Sequence, residues 1–314
     1  MTPVAAAESS AHLGLDLGAT NVKWALVERD GDEWSVGDRG QFPTDAADGA
    51  DAVLDRMADL GLHVLGDHPD TATVGVGLPG LFEASTGIAT FLPNLTPDWE
   101  RRQIVGPLRS RIGLPVTLIN DARAFGLAEL RLGAGRGCRT MVGLVLGTGV
   151  GGVVVVNGDV HFGHDGTGGE VGHQTLHPDG PPCTCGNRGC LEAFARADAV
   201  AAACGTATAE EAVSAARAAD PRAVAGMAEV GRWLGIGISN LIVVLTPDRV
   251  VLGGGVAGAG EFLLEPIRAE VRARVHVTDL DAVDIIRGEL GTWAGAIGAA
   301  VHGSGVAVPE AAVR

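Results

Sequence analysis

Positive charge is scarce in this chain. Its 314 residues carry 23 lysines and arginines against 38 acids, a formal net charge of −15. That balance excludes the basic surface that nucleic acid and anionic membranes require, so neither is an expected partner. It leaves room for a phosphorylated ligand, because backbone N–H groups hold phosphate without basic side chains. Lysine is nearly absent, which makes Lys23 conspicuous. An unbroken apolar run of membrane-spanning length is missing too. The longest stretch, Met141 to Val156, is interrupted by Gly143, Gly147, Gly149, Gly151 and Gly152 and is expected to be a hairpin of two strands. Met1 to Ser10 has neither the basic nor the apolar region of a secretory leader, and the five cysteines form an odd set. Thiols in a reducing cytoplasm are therefore expected. There is no low-complexity segment and no Gly-x-x-x-x-Gly-Lys-Ser/Thr loop, which argues against a P-loop nucleotide site.

The length suggests about two domains, and a hydrophobic share of 46% allows large cores. Patterning is α/β. Strands are expected at His12 to Asp16, Val22 to Glu28 and Trp34 to Phe42, then a helix over Ala46 to Leu65. A short buried strand at Ala72 to Val76 ends in Gly77-Leu78-Pro79-Gly80, and another at Val116 to Ile119 ends in Asn120-Asp121 at the mouth of a helix, Ala122 to Leu132. The Ala-rich stretch from Ala193 to Ala228 and the segment Met227 to Leu245 are expected helices. A strand at Arg249 to Leu252 ends in Gly253-Gly254-Gly255, and a small-residue helix follows Trp293. Polar residues thus recur at the carboxyl ends of apolar strands, where open α/β sheets place their ligands.

The most informative stretch runs from Glu170 to Glu192. His173, Cys183, Cys185 and Cys190 fall in a loop-rich segment holding Gly172, Pro178, Gly180, Pro181, Pro182, Gly186 and Gly189. One imidazole and three thiols are the ligand set of a closed tetrahedral zinc site, and the turn residues let the backbone wrap around one ion. Four protein ligands leave no open position, so such a site is structural. The rivals are a disulfide or free redox thiols. Cys138 and Cys204, outside the cluster, are expected to be ordinary buried thiols. Glu170 and Glu192 bracket the ligands in the manner of a pocket wall.

Two turns carry a second chemistry. In Asp16-Leu17-Gly18-Ala19-Thr20-Asn21 an acid at a strand end is followed by a glycine and a hydroxyl. Glycine lets a phosphate approach the backbone, Thr20 can donate to it, and Asp16 can hold Mg²⁺ directly or through water. Taken alone, this pattern is more often just a turn. Gly147-Thr148-Gly149 repeats it in the bend of the second hairpin. Asn120-Asp121 reads either as a helix N-cap or as a strand-end general base for a hydroxyl.

Asp16-x-Gly18-x-Thr20, Asn120-Asp121-Ala122, Gly147-Thr148-Gly149, Glu170-x-Gly172-His173 and Cys183-x-Cys185-Gly186-x-x-Gly189-Cys190-x-Glu192 occur in the order seen in the ROK family. The chain resembles that family from about His12 to Gly303. The family holds bacterial sugar kinases, glucokinase among them, and sugar-responsive repressors. The resemblance implies an α/β, actin/hexokinase-like (ribonuclease H-like) two-domain ATPase fold with a cleft for ATP and sugar. It implies a small domain of residues 1–120 plus about 297–314 and a large domain of 121–296. Asp121 is then the base that takes the proton of the attacking hydroxyl. Gly80, Asn94, Asn120, Glu170, His173 and Glu192 resemble the sugar ligands, His173 serving one zinc ion as well. Asp16, Gly18, Ala19, Thr20, Asn21, Lys23, Gly147, Thr148 and Gly149 fall on the ATP side with Mg²⁺ near Asp16. Gly254 lies beside the adenosine or in a plain turn. The expected activity is ATP-dependent phosphorylation of a hexose, glucose first. The alternatives are a non-catalytic sugar-sensing regulator and a kinase for another hexose or N-acylhexosamine. The repressors carry a helix-turn-helix segment ahead of the Asp-x-Gly turn, and only about fifteen residues precede Asp16 here. A homodimer or higher homo-oligomer is the expected assembly.

Overall fold

Short apolar runs punctuated by glycine produce the strands of two sheets built to one plan. The computed structural model describes residues 10–92, 95–164 and 166–305. These form two compact units, one taking the chain up to Leu132 and again from Thr292, the other running over Gly133–Gly163 and Thr167–Gly291.

In the first unit β1 (Ser10–Leu17), β2 (Asn21–Asp30) and β3 (Glu33–Pro43) form an antiparallel meander. After helix α1 (Ala50–Asp67), β4 (Thr71–Leu78) pairs parallel with β1. A small hairpin, β5 (Leu81–Glu83) and β6 (Ile88–Phe91), and helix α2 (Val105–Ile112) precede β7 (Val116–Asn120), which pairs parallel with β4. The order is β3-β2-β1-β4-β7. Helix α3 (Asp121–Leu132) follows directly. Leu13, Leu15, Val74, Val76 and Met57 are fully buried between sheet and helices, each side chain contributing about 1.5–3 kcal/mol.

The second unit repeats the plan. β8 (Met141–Leu146), β9 (Val150–Val156) and β10 (Asp159–Val160) are antiparallel neighbours. Helices α4 (Leu191–Ala195), α5 (Ala197–Cys204), α6 (Ala209–Arg217) and α7 (Pro221–Leu245) come before β11 (Arg249–Gly253), which pairs parallel with β8. Helix α8 (Glu261–Arg274) leads to β12 (Asp284–Arg287), parallel to β11, giving β10-β9-β8-β11-β12. The chain then returns to the first unit as α9 (Ala294–Gly303). Helix α7 is long and apolar enough to cross a membrane, but Met227, Leu234, Ile238 and Ile242 are fully buried in the core of the second unit.

Most expected elements are present, with informative shifts. Helix α1 begins at Ala50, four residues later than expected. Asp45 takes φ 46° and Gly49 φ 91°, breaking the run, and the cap comes from a distance: the Ala50 N–H donates to Asp98 Oδ2 at 2.6 Å. Helix α7 starts at Pro221, because Asp220 accepts the N–H groups of Arg222 and Ala223 and proline suits the first turn. The expected break after residue 120 falls instead after Leu132. The reason is that α3 packs on α9, near enough that a Cβ at Gly298 would lie 2.8 Å from the Ala124 Cα.

Candidate functional site

In the first unit, β1 and β2 meet in the turn Gly18 to Asn21, closed by a Gly18 N–H to Asn21 carbonyl bond of 3.1 Å. The Thr44 hydroxyl fastens it by donating to the Gly18 carbonyl at 2.6 Å. Ala19 and Thr20 are exposed at its tip. Asp16, two residues before the turn, stands opposite Lys23 on β2 and opposite Gly77 on β4. Burial raises its carboxyl to about 6, with the Lys23 ammonium pulling the other way. An acid so placed gains from a cation beside it.

At the end of β7 both residues of Asn120-Asp121 meet the start of α3, and Asp121 Oδ1 accepts the Ala122 N–H at 2.8 Å. Asn120 Oδ1 accepts the N–H groups of Ala122 and Arg123 at 3.1 and 3.3 Å, so Asn120 caps α3. Its amide donates to the Gly80 carbonyl at 3.2 Å, joining two of the expected sugar contacts. Asp121 is the first helical residue and is exposed, at a helix N-terminus where a carboxylate is favoured. Asn94 lies outside the described residues.

The second unit holds the metal-ligand cluster. The ligand atoms of His173, Cys183, Cys185 and Cys190 all lie within 4.8 Å of one another. Thiolates bonded at about 2.3 Å to one tetrahedral ion stand about 3.8 Å apart, and a thiolate and an imidazole nitrogen slightly closer. Cys185 Sγ and Cys190 Sγ are 3.8 Å apart, and Cys183 Sγ is 3.6 Å from His173 Nδ1. The donor set and its spacing therefore fit a closed tetrahedral ion. All five cysteines are free thiols, which removes the disulfide alternative, and Cys138 and Cys204 are buried away from the cluster as expected. Burial pushes the Cys183 thiol up to about 12 and raises Cys190 as well, while the Asn187 backbone N–H lowers Cys185. Metal binding to such thiols displaces protons.

The loop is held by its own backbone. The Cys183 N–H bonds the Asn187 carbonyl, Gly189 N–H that of Pro181, and Leu191 N–H that of Gln174. Gly186 and Gly189, at φ 92° and 64°, make the reversals. The Glu170–His173 turn lies against β9, where a Cβ on Gly172 would come within 3.0 Å of the Val150 carbonyl carbon.

Sequence reasoning missed how tightly this loop is tied to the second phosphate-type turn. Glu192 is only 8% exposed. Its Oε2 accepts the Val150 N–H at 3.0 Å, and its Oε1 accepts from the Thr184 hydroxyl at 3.2 Å and stands 3.5 Å from Cys183 Sγ. A Cβ on Gly149 would overlap Glu192 Oε2, so that glycine is needed for the carboxylate as much as for any phosphate. The turn itself closes through Gly147 N–H to the Gly149 carbonyl at 3.0 Å, with Thr148 exposed at the tip. Gly254, at φ 83°, lies on the backbone of Leu146 just ahead of it, so the Gly253-Gly254-Gly255 turn and the Thr148 turn are neighbours. Asn187 was also missed: its amide donates to Cys190 Sγ at 3.4 Å and to the Thr175 hydroxyl at 2.8 Å. An asparagine inside Cys-Gly-x-x-Gly-Cys was the signal available for it. Thus Asp16 to Lys23, Gly80, Asn120 and Asp121 belong to the first unit. Gly147 to Gly149, Glu170, His173, Glu192 and Gly254 belong to the second.

Known sugar kinases resemble this chain over nearly its whole length. The chain is 36% identical to the glucokinase of Thermotoga maritima over 92% of its own length and 95% of that protein's. The structure matches that of the ROK hexokinase from Thermus thermophilus with a TM-score of 0.78 and 34% identity, covering 94% of this chain and 98% of that one. It matches the ROK family glucokinase of Streptomyces griseus, solved in complex with glucose and AMPPNP, with a TM-score of 0.79 and 28% identity over 94% and 100% of the two chains. The fold is accordingly the actin/hexokinase-like fold of these kinases. The ROK family model itself spans residues 12–303, and the chain belongs to the ROK family.

Proposed function

We propose that this protein transfers the terminal phosphoryl group of ATP to a hydroxyl of a hexose, glucose above all, giving glucose 6-phosphate. The likeness to glucokinases over nearly the whole chain supports the reaction class. The observation that carries the assignment of roles is the end of β7, where Asn120 caps α3 and grips Gly80 while Asp121 is exposed beside them.

Phosphoryl transfer depends on positioning and charge stabilisation more than on covalent work by the protein. Asp121 accepts the proton of the attacking hydroxyl, which needs only a carboxylate within hydrogen-bond reach of it. Gly80, Asn120, Glu170, His173 and Glu192 are the ring-hydroxyl ligands, with Asn94 a further one. The Gly18-Ala19-Thr20-Asn21 and Gly147-Thr148-Gly149 turns offer backbone N–H groups and hydroxyls to the phosphates. Lys23 lies on the same side, and Gly254 leaves space for the adenosine. Asp16 would hold Mg²⁺, which would neutralise the charge that develops on the transferred group. Zinc is the ion that best suits His173, Cys183, Cys185 and Cys190, and its part is structural. His173 would bind it through Nδ1 and offer Nε2 to a hydroxyl. A reducing cytoplasm suits five free thiols, and a homodimer is the proposed assembly.

The test is a coupled ADP-release assay with glucose, mannose, N-acetylmannosamine, allose and fructose, run on the native chain and on Asp121→Asn. Turnover fastest on glucose is expected. In the variant kcat should fall by at least about a thousandfold while glucose binding, followed by calorimetry, survives. Near-native kcat in Asp121→Asn would refute the base, and no turnover on any of the sugars by the native chain would refute the kinase.

A further inference from the structure

Gly295 is an odd residue to find where it is. It occupies the first turn of α9 and does not take a positive φ, so its backbone does not call for glycine, and alanine is the better helix former. Its neighbours explain it. A Cβ at this position would stand 2.6 Å from Asp16 Cγ, 3.0 Å from Oδ1 and closer still to Oδ2; the three nearest atoms are all of that one carboxyl group. Other glycines along the same contact face backbone: a Cβ at Gly14 would meet the Ala300 nitrogen at 2.6 Å. At Gly295 the nearest obstacle is the Asp16 side chain. A second glycine meets the same carboxylate from another element. Gly77, paired with Asp16 in the parallel register of β4 and β1, also lacks a positive φ, and a Cβ there would lie 3.3 Å from Oδ1. Glycine inside a strand commonly marks such a close approach.

We infer that Gly295 and Gly77 are positioning residues that form a side-chain-free slot seating the Asp16 carboxylate at the end of β1, and that the slot sets how well Mg²⁺-ATP is held. The inference rests on reading Asp16 as the acid on the metal and phosphate side. The slot walls are main chain of a strand and a helix, so the carboxylate has little room to turn. They also shed water from it, in keeping with its raised pKa. A methyl group on Gly295 leaves the acid charged and present but pushes it out of place.

Four proteins decide the matter: the native chain, Gly295→Ala, Asp16→Ala and the double variant. For Gly295→Ala the Mg²⁺ concentration for half-maximal rate, with the KM for ATP, should rise about tenfold or more while the glucose Kd measured by calorimetry without nucleotide stays within about twofold. Thermal unfolding supplies a readout independent of turnover. Gly295→Ala should lower Tm in the native background and leave it unchanged or raised in the Asp16→Ala background, where the obstruction is gone. Equal loss of Tm in both backgrounds would overturn the slot, as would unchanged Mg²⁺ dependence in Gly295→Ala alongside a dead Asp16→Ala. Near-native turnover by Asp16→Ala would instead overturn the reading of Asp16 on which the slot's function depends. Should Gly295→Ala not fold, Gly77→Ala, whose overlap is milder, should shift Mg²⁺ dependence in the same direction by less; no shift overturns the proposal.

Discussion

Among single residues, His302 shows what burial does to a titratable group that takes no part in the proposed chemistry. It sits near the end of α9, where burial pulls its imidazole down to about 4 and the hydrogen bond it donates to the Leu118 backbone only partly opposes this. The folded protein therefore prefers it neutral, whereas the unfolded chain protonates it at the ordinary value near 6.5. Its contribution to stability is whole above pH 6.5 and is lost as pH falls toward 4, in total about 3 kcal/mol. His302→Gln keeps a donor for Leu118 but cannot charge. Urea unfolding at pH 7, 6, 5 and 4 should show the native chain losing stability faster than the variant over that interval, and parallel curves would refute the assignment. Side-chain roles of this kind were only partly legible in the sequence. Asn120-Asp121 could be read as cap or as base, and in the structure both side chains accept N–H groups from the first turn of α3 while Asp121 is also exposed. That Glu192 would be buried on the Val150 N–H was not legible, because its partners lie far from it along the chain.

At the scale of elements, the metal loop was the most legible part, since ligand type and turn residues are local and His173 is only ten residues from Cys183. Strands flanked by glycines were legible for the same reason. The hairpin of β5 and β6, with exposed Leu81 and Phe91, and helix α8, with Pro266 inside it, were not, because neither shows a clean periodicity. The loop also carries a prediction. Among the hydrogen bonds that tie the loop together and to β9 are Leu191 N–H to the Gln174 carbonyl, Val150 N–H to Glu192 and Asn187 to Thr175, and two of them involve residues within two of Cys190. An ion holding Cys190 thus stabilises the segment that seats Glu192. Metal analysis should find about one zinc per chain. Removing it with a chelator, or replacing Cys190 by Ser, should lower Tm by at least about 5 °C and raise the glucose KM, with Tm restored to the chelated protein by added Zn²⁺. A metal-free preparation with native Tm and KM would refute the structural role.

For the molecule as a whole, the repeated strand order means that each unit has its own sheet and its own core, Val142 to Ile285 in one and Ala11 to Leu118 in the other. The chain order is nevertheless not simply one unit after the other, because α9 comes last and belongs with β1, β4 and α3. The small-residue run after Trp293 was legible as a helix; that it lies on the backbone of two strands follows only from three dimensions. Gly14 and Gly75 put no side chain between sheet and helix, and a Cβ on Gly75 would come 2.5 Å from the Ala299 carbonyl carbon. Ending the chain at Gly291 should therefore unfold the first unit selectively. Hydrogen exchange should show amide protection lost from β1, β4 and α3 and kept in β8, β9 and β11, which hold their own core without α9. If β1 stayed protected in the shortened chain, α9 would be a covering element of no consequence to the fold. If β8 lost protection as well, the two cores would not be the independent cooperative units that their separate sheets imply.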